Sequence, residues 1–444
     1  MNTQPREFLL LWDNVRSAAS TVAQHIRSLE KYSLHAIRPI SIMGDLPPYL
    51  DLSKFDGVVL HYSLTACSNT SVSELARARL AQFKGIKILF IQDEYRHVDR
   101  SIRAMREIGI DILFTCVPES EIDKVYPEFA LPGVVKHNVL TGYVDESLLT
   151  YPVTDPTERH IDIGYRARRV PAWLGELGQQ KWNIGQRVAL DAKTHGLVVD
   201  MAYREEERLY GDRWLKFMAS CKATLGVESG ASVFDFSGEV QAAVDADLAS
   251  DPSLDFETLR SRHFAHLENR IRLNQISPRC FEAAALRTLM ILYDGEYSGR
   301  LLPWRHFVPL RKDHSNFGEV AAALRDAAMV REITDRAYNE VALAERNSFR
   351  QMAAEFDRVI DGLPAHKHGT RLLTAYADEE LSLLARQLSL ASRWAIYRRR
   401  LFTLLYFFVF RRFLGWMPEV WRDRIQHGLR QVLRSGLALL ARGR

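Results

Sequence analysis

Cysteine is scarce in this 444-residue chain: Cys67, Cys116, Cys221 and Cys280 are the only four, and no two form a CxxC pair. That spacing excludes a zinc knuckle and a disulfide framework and makes a reducing compartment the default. Several nucleotide and catalytic signatures are also absent. There is no GxxxxGK[ST] loop, no GxSxG elbow, no HExxH pair and no GxGxxG after the first apolar run. These gaps argue against P-loop, serine-hydrolase, zincin and dinucleotide-dehydrogenase chemistry. The start, MNTQPREFLLLW, has no basic region followed by a long apolar one, so no secretory signal is expected.

Acidic residues are nearly missing from one end. From Leu381 to Arg444 there are thirteen arginines and only two acids, Glu419 and Asp423, a charge of +11 within an overall +4. The rest is therefore mildly acidic, which argues against a nucleic-acid binder. Leu401–Phe410 is almost wholly apolar and flanked by arginines. At ten residues it is about 15 Å long as a helix, too short to span a bilayer. After Pro418, apolar residues recur at helical spacing with Arg422, Arg430 and Arg434 between them. This pattern predicts a basic amphipathic segment, with residues 390–444 lying on an anionic membrane surface. A packing or dimerisation helix is the alternative.

What is present is an ordinary folding composition, 47% hydrophobic and 26% charged, in a chain long enough for two or three domains. Short apolar runs (FLLLW, GVVLH, IKILFI, DILFTCV) alternate with helical spacing through residue 150. A polar stretch, YPVTDPTER, reads as a linker. The alternation resumes with HIDIGY, GLVVDM, ATLGV and LMILY, and FVPL reads as an edge strand. Residues 239–275 read as a charged, mostly helical insertion and 317–360 as one long helical stretch. The expected class is α/β, with two Rossmann-like sheets facing across a cleft and a helical C-terminal extension. The expected domains are 1–150, 151–362 and 363–444.

Three segments carry the chemistry. In SPRCFEAAALRTLMILYD, Ser277 and Pro278 suit a helix start. Glu282 then sits one turn in, where a carboxylate can accept two bonds from a diol, and the helix start favours a diphosphate. Glu282 is otherwise a favourable acid in a first turn. In LGVESGAS, Glu228, Ser229 and Gly230 end a strand at a cleft edge, unless they only form a turn. In HIDIGYRARR, Arg166, Arg168 and Arg169 follow a strand and offer forks for phosphate oxygens, unless they form a solvated basic loop; Lys181 is a further cation for the same task. QDEYRH follows another strand, so Asp93, Glu94 or His97 could orient or deprotonate a hydroxyl; His61, closing GVVLH, is similarly placed. Asp245-Ala246-Asp247 has metal-pair spacing but lies in the insertion, so no metal site is expected.

The stretch from Ser277 through GEYSGRLLPWRHFVPLRKDHSNFGEVAAALRD resembles the CgeB-like, group 1 GT-B glycosyltransferases. The resemblance covers roughly Phe8 to Ile360. It implies sugar transfer from a nucleotide-sugar donor to a hydroxyl of an envelope glycan or lipid-linked acceptor, without metal or other cofactor. Together with the residue chemistry above, it leads to donor binding by Arg166, Arg168, Ser229, Gly230, Ser277, Arg279 and Glu282 and to catalytic tasks for Asp93, His97 and Glu228, as expectations. Lys136–Asp145 resembles the crossing between domains, with Thr141-Gly142 approaching the sugar. The sequence departs from the family at Asn274, where a second glutamate usually stands eight positions before the first, and by the insertion. A cytoplasmic protein held peripherally at a membrane is expected. The alternatives are a non-catalytic nucleotide-sugar-binding scaffold of the same shape and a nucleotide-sugar epimerase.

Overall fold

The computed structural model describes residues 5–13, 20–364 and 373–390, with 392, 394 and 397. The apolar run Leu401–Phe410 and the amphipathic stretch after Pro418 lie outside the described residues, as does nearly all of 390–444. Among the described residues no helix is long and apolar enough to cross a membrane. The chain divides into two compact units, Met1–Ala385 and Arg386–Arg444. Both large sheets belong to the first unit.

Six parallel strands form the first sheet: β1 (Glu7–Trp12), β2 (Ala36–Ser41), β3 (Gly57–Leu60), β4 (Ile86–Ile91), β5 (Ile112–Thr115) and β6 (Val135–Asn138), in the order β2-β1-β3-β4-β5-β6. Their apolar runs are buried on both faces, as a helix-covered parallel sheet requires. β6, VKHN, lacks that signal because it is a short polar edge.

The second sheet takes β7 (Ile161–Arg166), β8 (Val199–Ala202), β9 (Cys221–Gly226), β12 (Leu289–Tyr293) and β13 (Val308–Leu310) in the order β13-β12-β9-β7-β8, again all parallel. Here the strand order reverses between β7 and β9. A crevice opens at such a point beyond the carboxyl ends of the strands. The two sheets remain separate, as the sequence predicts. Arg159, at the end of the expected linker, is buried and donates to the carbonyls of Thr154, Cys221 and Leu286 and to Thr288 Oγ1 at 2.8–3.0 Å.

The insertion is mostly helical, as expected, but ends in a strand. Helix Glu239–Ser250 and short turns give way to β11 (Leu273–Gln275), which pairs antiparallel with β10 (Ser229–Ala231). Gly230 is required in that pair. Its φ is +119°, and a Cβ there would collide with the Leu273 carbonyl oxygen.

The stretch 317–360 is helical nearly throughout, as expected, but in separate pieces. It is broken into Phe317–Arg325, Ala327–Ala337 and Phe349–Asp361. Asp326 adopts extended backbone and caps the second helix with its side chain, which ends the first; the second runs on as a π-helical turn to Ala342, and Ser348 caps the third. The last helix crosses back to the first half. Phe356 packs on Phe8, Phe90 and Phe114 with ring centroids 5.7–6.2 Å apart. Asp357 accepts from Ser33 Oγ and Leu34 N at 2.5 and 2.7 Å. The second half therefore starts at the linker and ends inside the first half's core.

Candidate active site

A cavity of about 700 Å³ lies at the carboxyl ends of β7 and β9, with the loop after β4 as its far wall. The sequence-predicted residues Asp93, Arg166, Arg168, Ser229, Gly230, Ser277, Arg279 and Glu282 all line it, with Glu94, Lys181 and Thr141. Residues more than 100 positions apart meet because each follows a strand whose carboxyl end faces the crevice.

Glu282 lies in helix Pro278–Ala285, with Pro278 at the first position. Burial raises its carboxyl pKa, opposed by a hydrogen bond from Trp214 and by the charge of Arg279. Trp214 Nε1 donates to Oε2 at 2.8 Å. The helix start meets the first half directly: Thr141 Oγ1 donates to the Ile276 carbonyl at 2.5 Å. A Cβ on Gly142 would stand 2.9 Å from Pro278 Cβ and Cγ. The close approach at Thr141-Gly142, expected toward a sugar, is therefore made to the chain itself.

The cations divide into two kinds. Arg166 is held within the protein. Its Nη2 lies 2.9 Å from Asp200 Oδ1, its Nη1 donates to two carbonyls at 3.0 Å, and its guanidinium stacks 3.9 Å from the Phe217 ring centre. The side chains of Arg168 and Lys181, by contrast, have no hydrogen-bond or ion-pair partner among the described residues. Burial, then the charge of Arg279, lowers Lys181 to about 8. Arg279 donates to the Arg166 carbonyl at 2.7 Å and lies 4.9 Å from the Trp214 ring centre. An anion there would relieve the mutual repulsion of Arg168, Lys181 and Arg279.

Two expected catalytic positions fall outside the cavity. Glu228 is buried and accepts from Asn274 Nδ2 at 2.7 Å and from the backbone N–H groups of Glu296 and Tyr297 at 3.1 and 2.9 Å. Its carboxylate fixes the turn after β12 to the β10–β11 pair. His97 has left-handed backbone, φ 52°, and its Nδ1 sits where a Cβ on Gly238 would be. The ring is used in packing against the insertion. Asp247 of the metal-like pair is bonded to Arg262 and His263 at 3.0 and 2.9 Å.

The first-half wall is built on Glu94, which accepts from Thr115 Oγ1, Cys116 N and Tyr126 Oη at 2.5–2.6 Å. Burial pushes its pKa up to about 7 against those bonds. It anchors a loop whose neighbouring Asp93 is exposed and accepts from Tyr95 Oη at 3.1 Å. The segment that leads into the insertion clasps the same loop: Asp235 N donates to the Tyr95 carbonyl at 2.7 Å and Asp99 N to the Phe236 carbonyl at 3.1 Å. Sequence reasoning misses this clasp and misses Trp214. Trp214 lies in helix Asp212–Ser220, but nothing local indicates its partner.

Two Rossmann-like halves facing across a cation-lined crevice define an architecture of GT-B type. No family model matches the chain, and no curated protein matches it in sequence. Among solved structures it is similar in shape to TarM (TM-score 0.41, 10% identity, covering 70% of this chain and 55% of that one). It is also similar to an alpha-glucosyltransferase in complex with UDP and a 13-mer DNA (0.47, 10%, 80% and 99%). A third likeness is to Anabaena HepE in complex with UDP-glucose (0.43, 9%, 81% and 100%). The chain spans about half the length of TarM. Strand order, rather than these likenesses, defines the fold.

Proposed function

We propose that the protein is a glycosyltransferase that moves a sugar from a nucleotide donor to a hydroxyl of an envelope glycan or lipid-linked acceptor. The reading is carried by one observation: Glu282, steadied by Trp214, lines the same cavity as the unpartnered cations Arg168 and Lys181. A ribose diol on Glu282 and a diphosphate on these cations match the two chemistries of a nucleotide sugar. Charge on the leaving diphosphate would be neutralised by side chains, and Asp93, exposed on the opposite wall, would orient the acceptor hydroxyl. The test is calorimetry with UDP, GDP and dTDP, then a donor screen with products identified by mass spectrometry. Absence of any nucleotide binding sinks it.

A second reading, a nucleotide-sugar-binding scaffold without turnover, is favoured by the positions of Glu228 and His97. Of three expected catalytic residues, only Asp93 lines the cavity. Nucleotide binding without donor hydrolysis or transfer would select it. Attachment to an anionic membrane through residues 390–444 rests on the arginine-rich sequence. Loss of co-sedimentation with anionic liposomes on deleting that segment checks it.

A further inference from the structure

The cavity's first-half edge carries charge that a nucleotide donor leaves unused. Arg96 lines the cavity. Helix Val98–Ile108 begins just beyond it and carries Arg100, Arg103 and Arg106. Spacings of three place these last residues along one face, about 9 Å from first to last. All four arginines are exposed, and none of their side chains has an ion-pair or hydrogen-bond partner among the described residues. The Arg96 guanidinium instead lies 6.0 Å from the Trp173 ring centre, on the second half. Two acids accompany the row. Glu107 is already bonded to Arg77 at 2.9 Å, which leaves Asp99 against four arginines.

We propose that this face receives an anionic acceptor, a glycan bearing carboxylates or phosphates, laid along the helix so that its end enters the cavity beside Asp93. The proposal rests on the donor occupying the second half. A row of like charges without counter-ions is stabilised by a polyanion, and the gain is largest at low salt. A bilayer fits this face less well. The apolar side chains Val98, Ala104, Met105 and Ile108 are buried, and the helix exposes no large apolar residue. Membrane-surface helices need an apolar face to insert.

The test uses the full-length protein with polygalacturonate oligomers, and dextran oligomers of equal length as the neutral control. Hydrogen exchange monitored on peptides covering residues 96–108 is expected to slow with polygalacturonate and not with dextran, whatever the basic C-terminal segment binds. R100E/R103E/R106E should weaken polygalacturonate at least about tenfold at roughly 50 mM salt, where screening is weak, and leave UDP affinity within about twofold. R100K/R103K/R106K should stay within about twofold for both, which separates charge from fold. Unchanged exchange at 96–108, or equal affinity in the charge-reversed protein, overturns the proposal. So does charge reversal that abolishes binding to phosphatidylglycerol vesicles while sparing polygalacturonate. If wild type binds polygalacturonate at this face but no nucleotide, the donor reading fails while the anion-binding face stands.

Discussion

The indole Nε1 of Trp214 donates to Oε2 of Glu282 at 2.8 Å, across 68 positions of sequence. The bond occupies one carboxylate oxygen and fixes the plane of the other at the cavity wall. A group whose only task was to favour a helix start would need no such support. Glu282→Ala is expected to weaken UDP binding by about 1–3 kcal/mol, the range for lost hydrogen bonds to a charged group. Trp214→Phe should lower it in the same direction by less. Calorimetry measures both, and unchanged affinity in a folded Glu282→Ala protein removes the residue from the site.

Lys181 gives a pH dependence with a definite sign. Its pKa is lowered to about 8 because burial and Arg279 disfavour the charged form. A diphosphate favours that form, so UDP affinity should fall as pH rises through 8 and beyond. In the free protein the folded state holds this proton less tightly than the unfolded state does. Stability is therefore lowered below pH 8 and recovers above it. Lys181→Met is expected to raise Tm at pH 7, abolish the pH dependence and weaken UDP binding.

Glu94 acts in the opposite sense. Its folded pKa, about 7, stands above the usual value of roughly 4.3 for an unfolded glutamate. The stability it contributes is full below about pH 4.3 and is lost as pH rises through 7. The size is on the order of 3 kcal/mol. Urea denaturation between pH 5 and 8 should show this slope in wild type, and Glu94→Gln should flatten it.

Gly230 and Arg159 test the scaffold. Gly230→Ala places a methyl against the Leu273 carbonyl at positive φ and should cost about 3 kcal/mol or more. Arg159→Met leaves the carbonyls of Cys221, Leu286 and Thr154 without their donor, at about 3 kcal/mol. Thermal unfolding reads both.

Most strands of the two sheets were legible because a parallel strand buried on two faces is mostly apolar, as in IKILFI and LMILY. The start of the Pro278 helix was legible because proline at a first helical position is a local signal. Glu282 and Arg168 could be singled out for the same reason, since one lies in the first turns of a recognisable helix and the other follows a recognisable strand. Other features could not be read. β6 is polar and β10–β11 very short, so neither has a period to detect. The break at Asp326 and the start at Ser348 depend on side chains that cap rather than continue a helix. That Glu228 and His97 turn inward, that Arg166 is consumed by Asp200, and that Trp214 reaches Glu282 are contacts between residues distant in the chain. Sequence determined which residues stand at strand ends. Only tertiary packing decided which of their side chains were left free, because burial and hydrogen bonding are settled by neighbours that no local pattern specifies.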